Sequence, residues 1–150
     1  MALALREAPL HSTFFKLALQ SLKRILFHDV TFQDVYRDVG LVEVLTHKFL
    51  QAERYVDFSS TDLMDVFQSM LKQNNLNCPL FREAGGSQHL LSLINSASSQ
   101  TERAVLLTVV QHLLTSVGCD DDMQHLLTCF NNTLNTLEIK QVKHLIMTDM

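Results

Sequence analysis

The chain has 150 residues, of which 47% are hydrophobic and 19% charged, with a formal net charge of −4. That length fits one domain, and the apolar fraction is enough to build a core, which excludes a disordered segment. The acidic balance, with lysines and arginines that do not cluster, argues against nucleic acid and anionic lipid as electrostatic partners. Only 4 Gly and 2 Pro leave little material for turns, which favours long helices joined by short loops over a sandwich or barrel. Three cysteines, Cys78, Cys119 and Cys129, have no CxxC spacing and read as reduced thiols of a cytoplasmic protein. The opening run Met1 to Leu5 is too short for a signal peptide, and no apolar stretch is long enough to span a membrane, so no direct membrane insertion is expected.

In chain order, Ser12 to His28 carries Phe14, Phe15, Leu17, Ala18, Leu22, Ile25 and Leu26 at helical spacing. The apolar face is broad, as in a helix packed on two sides. Thr31 to Asp34 resembles a capping box that starts a short helix through Tyr36 and Val39, with Gly40 as its left-handed terminator. Leu41 to Ala52 is the next helix, with Val44, Leu45 and Phe49 facing inward. Ser59 to Asp62 starts a second series, in which Leu63, Val66, Phe67, Met70 and Leu71 share a face. Asn74 to Cys78 breaks that helix, and Pro79 suits the first turn of a short helix ending at Gly85-Gly86. A further helix covers Ser87 to Asn95. Ser99 to Glu102 is a capping box for an apolar helix through Leu114, which Gly118 ends. Asp120 to Asp122 caps a helix from Met123 to Phe130, and Asn135 to Glu138 caps one through Ile139, Val142, Leu145 and Ile146. That last apolar face, with nothing after it to cover it, suggests a fragment or short isoform of a larger chain.

One pattern organises these elements. Tyr36-Arg37-Asp38-Val39-Gly40 returns 45 positions later as Phe81-Arg82-Glu83-Ala84-Gly85. At the same offset Leu22, Leu26 and Leu45 fall on Phe67, Leu71 and Leu90. A repeat of this length marks armadillo- and HEAT-like proteins. The expected fold is therefore all-α, a right-handed armadillo/HEAT-like α-solenoid of about three units, roughly 11–52, 59–96 and 99–147. Solenoids bind other proteins and host no chemistry by default. Tyr36, Arg37, Gly40, Phe81, Arg82 and Gly85 read as structural corners. The two arginines are expected either to stack on the preceding unit or to pair with Asp38 and Glu83. In an armadillo unit the third helix lines the concave face, which makes Glu43, His47, Gln88, Ser92 and Gln124 the candidate protein-binding groove.

Candidate chemistry is weak. His125 and Cys129 share a helical face near Cys119, yet a zinc site needs about four ligands. Asp120 to Asp122 lacks the alternating ligands of a calcium loop. A Cys78–His89 nucleophile pair has no orienting third group. Gly85-Gly86 lacks the lysine of a phosphate loop. No catalytic residue, metal, cofactor or small-molecule substrate is expected, and the partners are other proteins or neighbouring repeats of the same chain. The runner-up is a stand-alone helical adaptor that holds a peptide or helix in its groove.

Three motifs in order, Asp34 to Leu45, Phe81 to Gly86 and Gly118 to Met123, resemble the amino-terminal armadillo-like region of the very large BEACH-domain proteins, in the WD-repeat and FYVE-domain (Alfy) branch. The likeness covers about 35 to 145. The stretch Lys48 to Thr61 is compact where Alfy itself would carry a longer insertion, which points to the paralogous line. The resemblance implies a scaffold in vesicle or endosomal traffic or selective autophagy. It also implies a cytoplasmic location, peripheral to endosomal or autophagic membranes through other domains of the parent protein.

Overall fold

A computed structural model describes residues 2–52 and 60–116 and the single positions 120, 123, 124, 126 and 127. Among these residues the chain is all-helical, with no strand. The helices are α1 (Ala2–Glu7), α2 (Thr13–His28), α3 (Phe32–Asp38), α4 (Leu41–Leu50), α5 (Ser60–Leu71), α6 (Asn77–Glu83), α7 (Gly86–Ser96) and α8 (Gln100–Leu114). α2 packs on α5 and α5 on α8, while α1 packs on α4 and α4 on α7. The seven-residue helices α3 and α6 touch each other and bridge the long helices to α4 and α7.

Local chemistry sets the boundaries. Ser12 accepts the Phe15 amide at 3.1 Å and opens α2. Ser99 accepts the Glu102 amide at 3.2 Å and opens α8, while the Glu102 carboxylate returns to the amide and hydroxyl of Ser98. Thr31 does not cap α3 with its side chain. Asp29, two residues earlier, does the work, accepting from the Thr31 hydroxyl at 2.6 Å and its amide at 3.0 Å, which holds the Asp29 carboxyl below its usual value. The expected capping box is thus replaced by an aspartate turn.

The sequence order long helix, seven-residue helix, glycine, third helix occurs twice. Gly40 and Gly85 sit at the two corners with φ of 79° and 91°, a region where an ordinary side chain is strained. The 45-residue offset holds in the core as well: Leu22 and Phe67, Leu26 and Leu71, Tyr36 and Phe81, and Leu45 and Leu90 are all buried. Phe49, Phe67 and Phe81 meet at its centre, with Phe67 edge-on to Phe49 at 5.5 Å and to Phe81 at 5.0 Å. Phe81 lies so close to the α7 backbone that a methyl at Gly86 would come within 2.5 Å of the ring.

One expectation changes, one helix is added and one boundary is met. α2 is packed on one side only, and Phe14, Leu17 and Ile25 are exposed. α1, outside the three expected units, is a helix with Leu5 buried against the rest of the core. α8 ends at Leu114. Gly118, the caps at Asp121-Asp122 and Asn135 to Glu138, the last helix, and Ser59 lie outside the described residues, as does much of the compact 48–61 stretch.

Candidate functional site

The corner residues are structural in detail. Tyr36 is buried and its hydroxyl donates to the Leu22 carbonyl at 3.1 Å; burial pushes the phenol up to about 12. Arg37 donates to Asp34 at 2.8 Å, lies 4.0 Å from Asp38, and reaches Asn77 of α6 at 3.3 Å. Arg82 donates to the Leu113 carbonyl at 2.8 Å and to the Ser116 hydroxyl, at the carbonyl end of α8, where a cation is favoured. Both arginines therefore reach forward, onto the helices that follow. Of the two expected alternatives, stacking on the preceding unit is corrected to a reach onto the following one, and pairing is seen for Arg37 with Asp38, at the limit of contact.

A buried polar cluster joins Gln33 to the expected helix break at Asn74 to Cys78. Asn77 donates to the carbonyls of Met70 at 2.9 Å and Gln33 at 3.1 Å. Gln33 donates to the carbonyls of Ser69 at 2.6 Å and Lys72 at 3.0 Å, and accepts from Asn74 at 3.2 Å. Cys78 donates its thiol to the Leu71 carbonyl at 3.3 Å. The last carbonyls of α5, orphaned by geometry at any helix end, are in this way satisfied by side chains from α3 and α6.

The expected groove residues Glu43 and His47 lie one turn apart on α4, and Gln88 and Ser92 one turn apart on α7; all four are exposed. α4 and α7 pack together, so the two pairs belong to one exposed helical layer. Glu43, Val44 and His47 line a hollow of about 210 Å³ with Arg6 of α1. Gln124 is exposed but is one of the isolated described positions, and nothing places it in the same row. The exposed side of this layer also includes the apolar Leu50 of α4.

The residues weighed for chemistry point elsewhere. His89 bonds the Ala52 carbonyl at 2.7 Å and stands edge-on to Phe49 at 4.8 Å, while Cys78 faces Leu71. Cys119, His125 and Cys129 lie outside the described residues. Lys48, unnoticed in the sequence, is buried on α4 and donates to the Ala8 carbonyl beyond α1, and burial lowers its pKa. No helix among the described residues is long and apolar enough to cross a membrane. The surface missed by sequence reasoning is the outer side of α2, where exposed Phe14, Leu17, Ile25 and Phe27 accompany Arg24. Its signal was present: these residues lie on a different arc from the buried Phe15, Leu19, Leu22 and Leu26. No family model matches the chain, and no solved structure matches it.

Proposed function

We propose that the chain is a non-catalytic protein-interaction segment, built as a right-handed armadillo-like solenoid, of a large cytoplasmic BEACH-type scaffold of the WD-repeat and FYVE-domain branch. The observation that carries the solenoid reading is the 45-residue recurrence, which extends from the pentapeptide to buried core positions and to both positive-φ glycines. The forward reach of Arg37 and Arg82 supports it, because stacked repeats hold together through contacts between neighbours. The non-catalytic reading is supported by the partners of the reactive side chains: Cys78, His89 and Lys48 each bond a backbone carbonyl, at Leu71 of α5, at Ala52 after α4 and at Ala8 after α1. The BEACH assignment, with its role in vesicle traffic or autophagy, rests on the three ordered sequence motifs. A stand-alone adaptor is the second reading, favoured by α1, which covers α4 as a cap would.

An experimental structure of the chain tests the architecture; a closed helical bundle without superhelical stacking refutes it. Quantitative pull-downs test the interaction role. Glu43→Lys, His47→Asp and Gln88→Lys, each folded by circular dichroism, should lower capture of specific proteins severalfold. Equal capture by all folded variants removes the α4–α7 layer as the binding face.

A further inference from the structure

The outer arc of α2 is bare, whereas the matching arc one unit on is buried. Ser21 and Ile25 correspond at 45 positions to Val66 and Met70 of α5. Those two are fully buried in the helix that packs against α2, whereas Ile25 is 38% exposed. Leu17, 56% exposed, corresponds to Asp62, which pairs across the interface with Lys23 of α2 at 3.7 Å. The α4 row already has an outer layer, since α1 packs on α4 as α4 packs on α7. On the α2 row, Phe14 and Leu17 remain more than half exposed.

Charge selects the occupant. α2 contains Lys16, Lys23, Arg24 and His28 and neither Asp nor Glu, in a chain of net charge −4. Lys23 is already held by Asp65 at 2.8 Å and by Asp62. Arg24 is exposed and has no carboxylate among the described residues. Beside it a hollow of about 320 Å³ between α2 and α5 is lined by Phe27, His28, Gln68 and Ser69 as well as Lys23 and Asp65. A second copy docked through its own α2 would bring together two helices that carry basic side chains and no Asp or Glu. An anionic membrane is held by clusters of about four to eight basic residues, more than this arc supplies.

We propose that the outer arc of α2 docks an acidic amphipathic helix of a partner protein. Its apolar side chains cover Phe14, Leu17 and Ile25, and a carboxylate meets Arg24. This rests on the protein-interaction reading and gives that reading a partner class.

The test is a titration of the isotope-labelled full chain with a synthetic helical peptide of about 15 residues, bearing leucines at one-face spacing and glutamates elsewhere, against the same peptide with lysines for glutamates. The glutamate peptide should bind saturably, shift amide resonances along α2, and weaken with added salt. Arg24→Glu and Leu17→Glu, both at exposed positions and checked for native helicity, should each weaken it about tenfold or more. Equal binding of both peptides overturns the proposal, as do shifts confined to α4 and α7, no binding, or sedimentation with phosphatidylserine vesicles without peptide binding. Self-association abolished by Leu17→Glu also overturns it, in favour of a second copy. These outcomes concern α2 alone; the general interaction role stands or falls with the pull-downs on the α4–α7 layer.

Discussion

Replacing Asn77 with alanine should cost about 3 kcal/mol of stability. The side chain is fully buried and makes three contacts. Two are donated to backbone carbonyls, at 2.9 Å to Met70 and 3.1 Å to Gln33, and one is accepted from Arg37 at 3.3 Å. Met70 lies in the last turn of α5, where its carbonyl has no amide of its own helix to bond. Its loss therefore leaves a buried acceptor unsatisfied, at about 1–3 kcal/mol. Gln33 keeps the option of a helical amide from within α3, so its lost bond costs about 0.5–1 kcal/mol, and the part-exposed Arg37 contact costs less. The sum centres near 3 kcal/mol, which for a chain of this size lowers Tm by about 6–12 °C. Urea denaturation of wild type, Asn77→Ala and the exposed control Ser92→Ala gives the comparison. A loss under about 1 kcal/mol, or one equal to the control, would refute the assignment of this cluster as the cap of α5. Asn77→Asp should fare no better, because it turns a donor into an oxygen facing two carbonyls.

The other expectations concern the corners and the buried lysine. Gly40→Ala should lose about 1–2 kcal/mol from its positive φ alone, since a methyl there meets no atom within 4 Å; Gly40→Asn should lose less, and equal urea midpoints for the two would contradict the strain argument. Gly86→Ala should lose about 1–3 kcal/mol by overpacking against Phe81, with part of the loss recovered in the Phe81→Leu background, and additive losses in a double-mutant cycle would count against the contact. Lys48 has a folded pKa below 10.5, so the folded state sheds its proton first and stability should rise with pH up to about 10, by at most about 1.4 kcal/mol per pH unit. Lys48→Met should flatten that rise, and an unchanged slope would show that Lys48 is not its source. Above the ordinary tyrosine value of 10.0 the sign reverses, because the Tyr36 phenol stays protonated in the fold to about 12 while the unfolded chain ionises.

Much of the helical layout was legible because it depends on local signals. Ser12 and Ser99 cap where their hydroxyls predict, Gly40 and Gly85 turn where the pentapeptides end, and the apolar spacing of Leu63 to Leu71 marks a buried face. What escaped depends on partners distant in sequence. The apolar width of α2 shows how much surface could be covered, but periodicity carries no information on whether a second helix is there to cover it. Lys48 looks like any surface lysine until α1 lies over α4 and offers the Ala8 carbonyl. Asn74 and Asn77 read as helix breakers because asparagine favours turns. Their further role as acceptors and donors needs Gln33, which is 41 and 44 positions away. The arginine direction was misjudged for the same reason: an Asp next in sequence is visible, whereas Asn77 and the end of α8 are not.

The short helices act as pins between successive long ones. Tyr36 and Asn77 bond carbonyls of the long helix just before them, at Leu22 and Met70. Gln33, Arg37 and Arg82 bond forward, to the end of α5, to α6 and to the end of α8. Each short helix thus ties two long helices together, α3 the middle of α2 to the end of α5 and α6 the end of α5 to the end of α8, in hydrogen bonds that do not survive a slide of one turn, about 5.4 Å. Lys23 with Asp62 and Asp65 adds a lateral tie between α2 and α5. The relative register of α2, α5 and α8 is therefore fixed by polar contacts as well as by packing, and the outer arc of α2 is held on a stiff support. A helix docking there would meet a surface already in its bound form, which lowers the ordering cost of association and confines adjustment to the exposed side chains of Phe14, Leu17, Arg24 and Phe27.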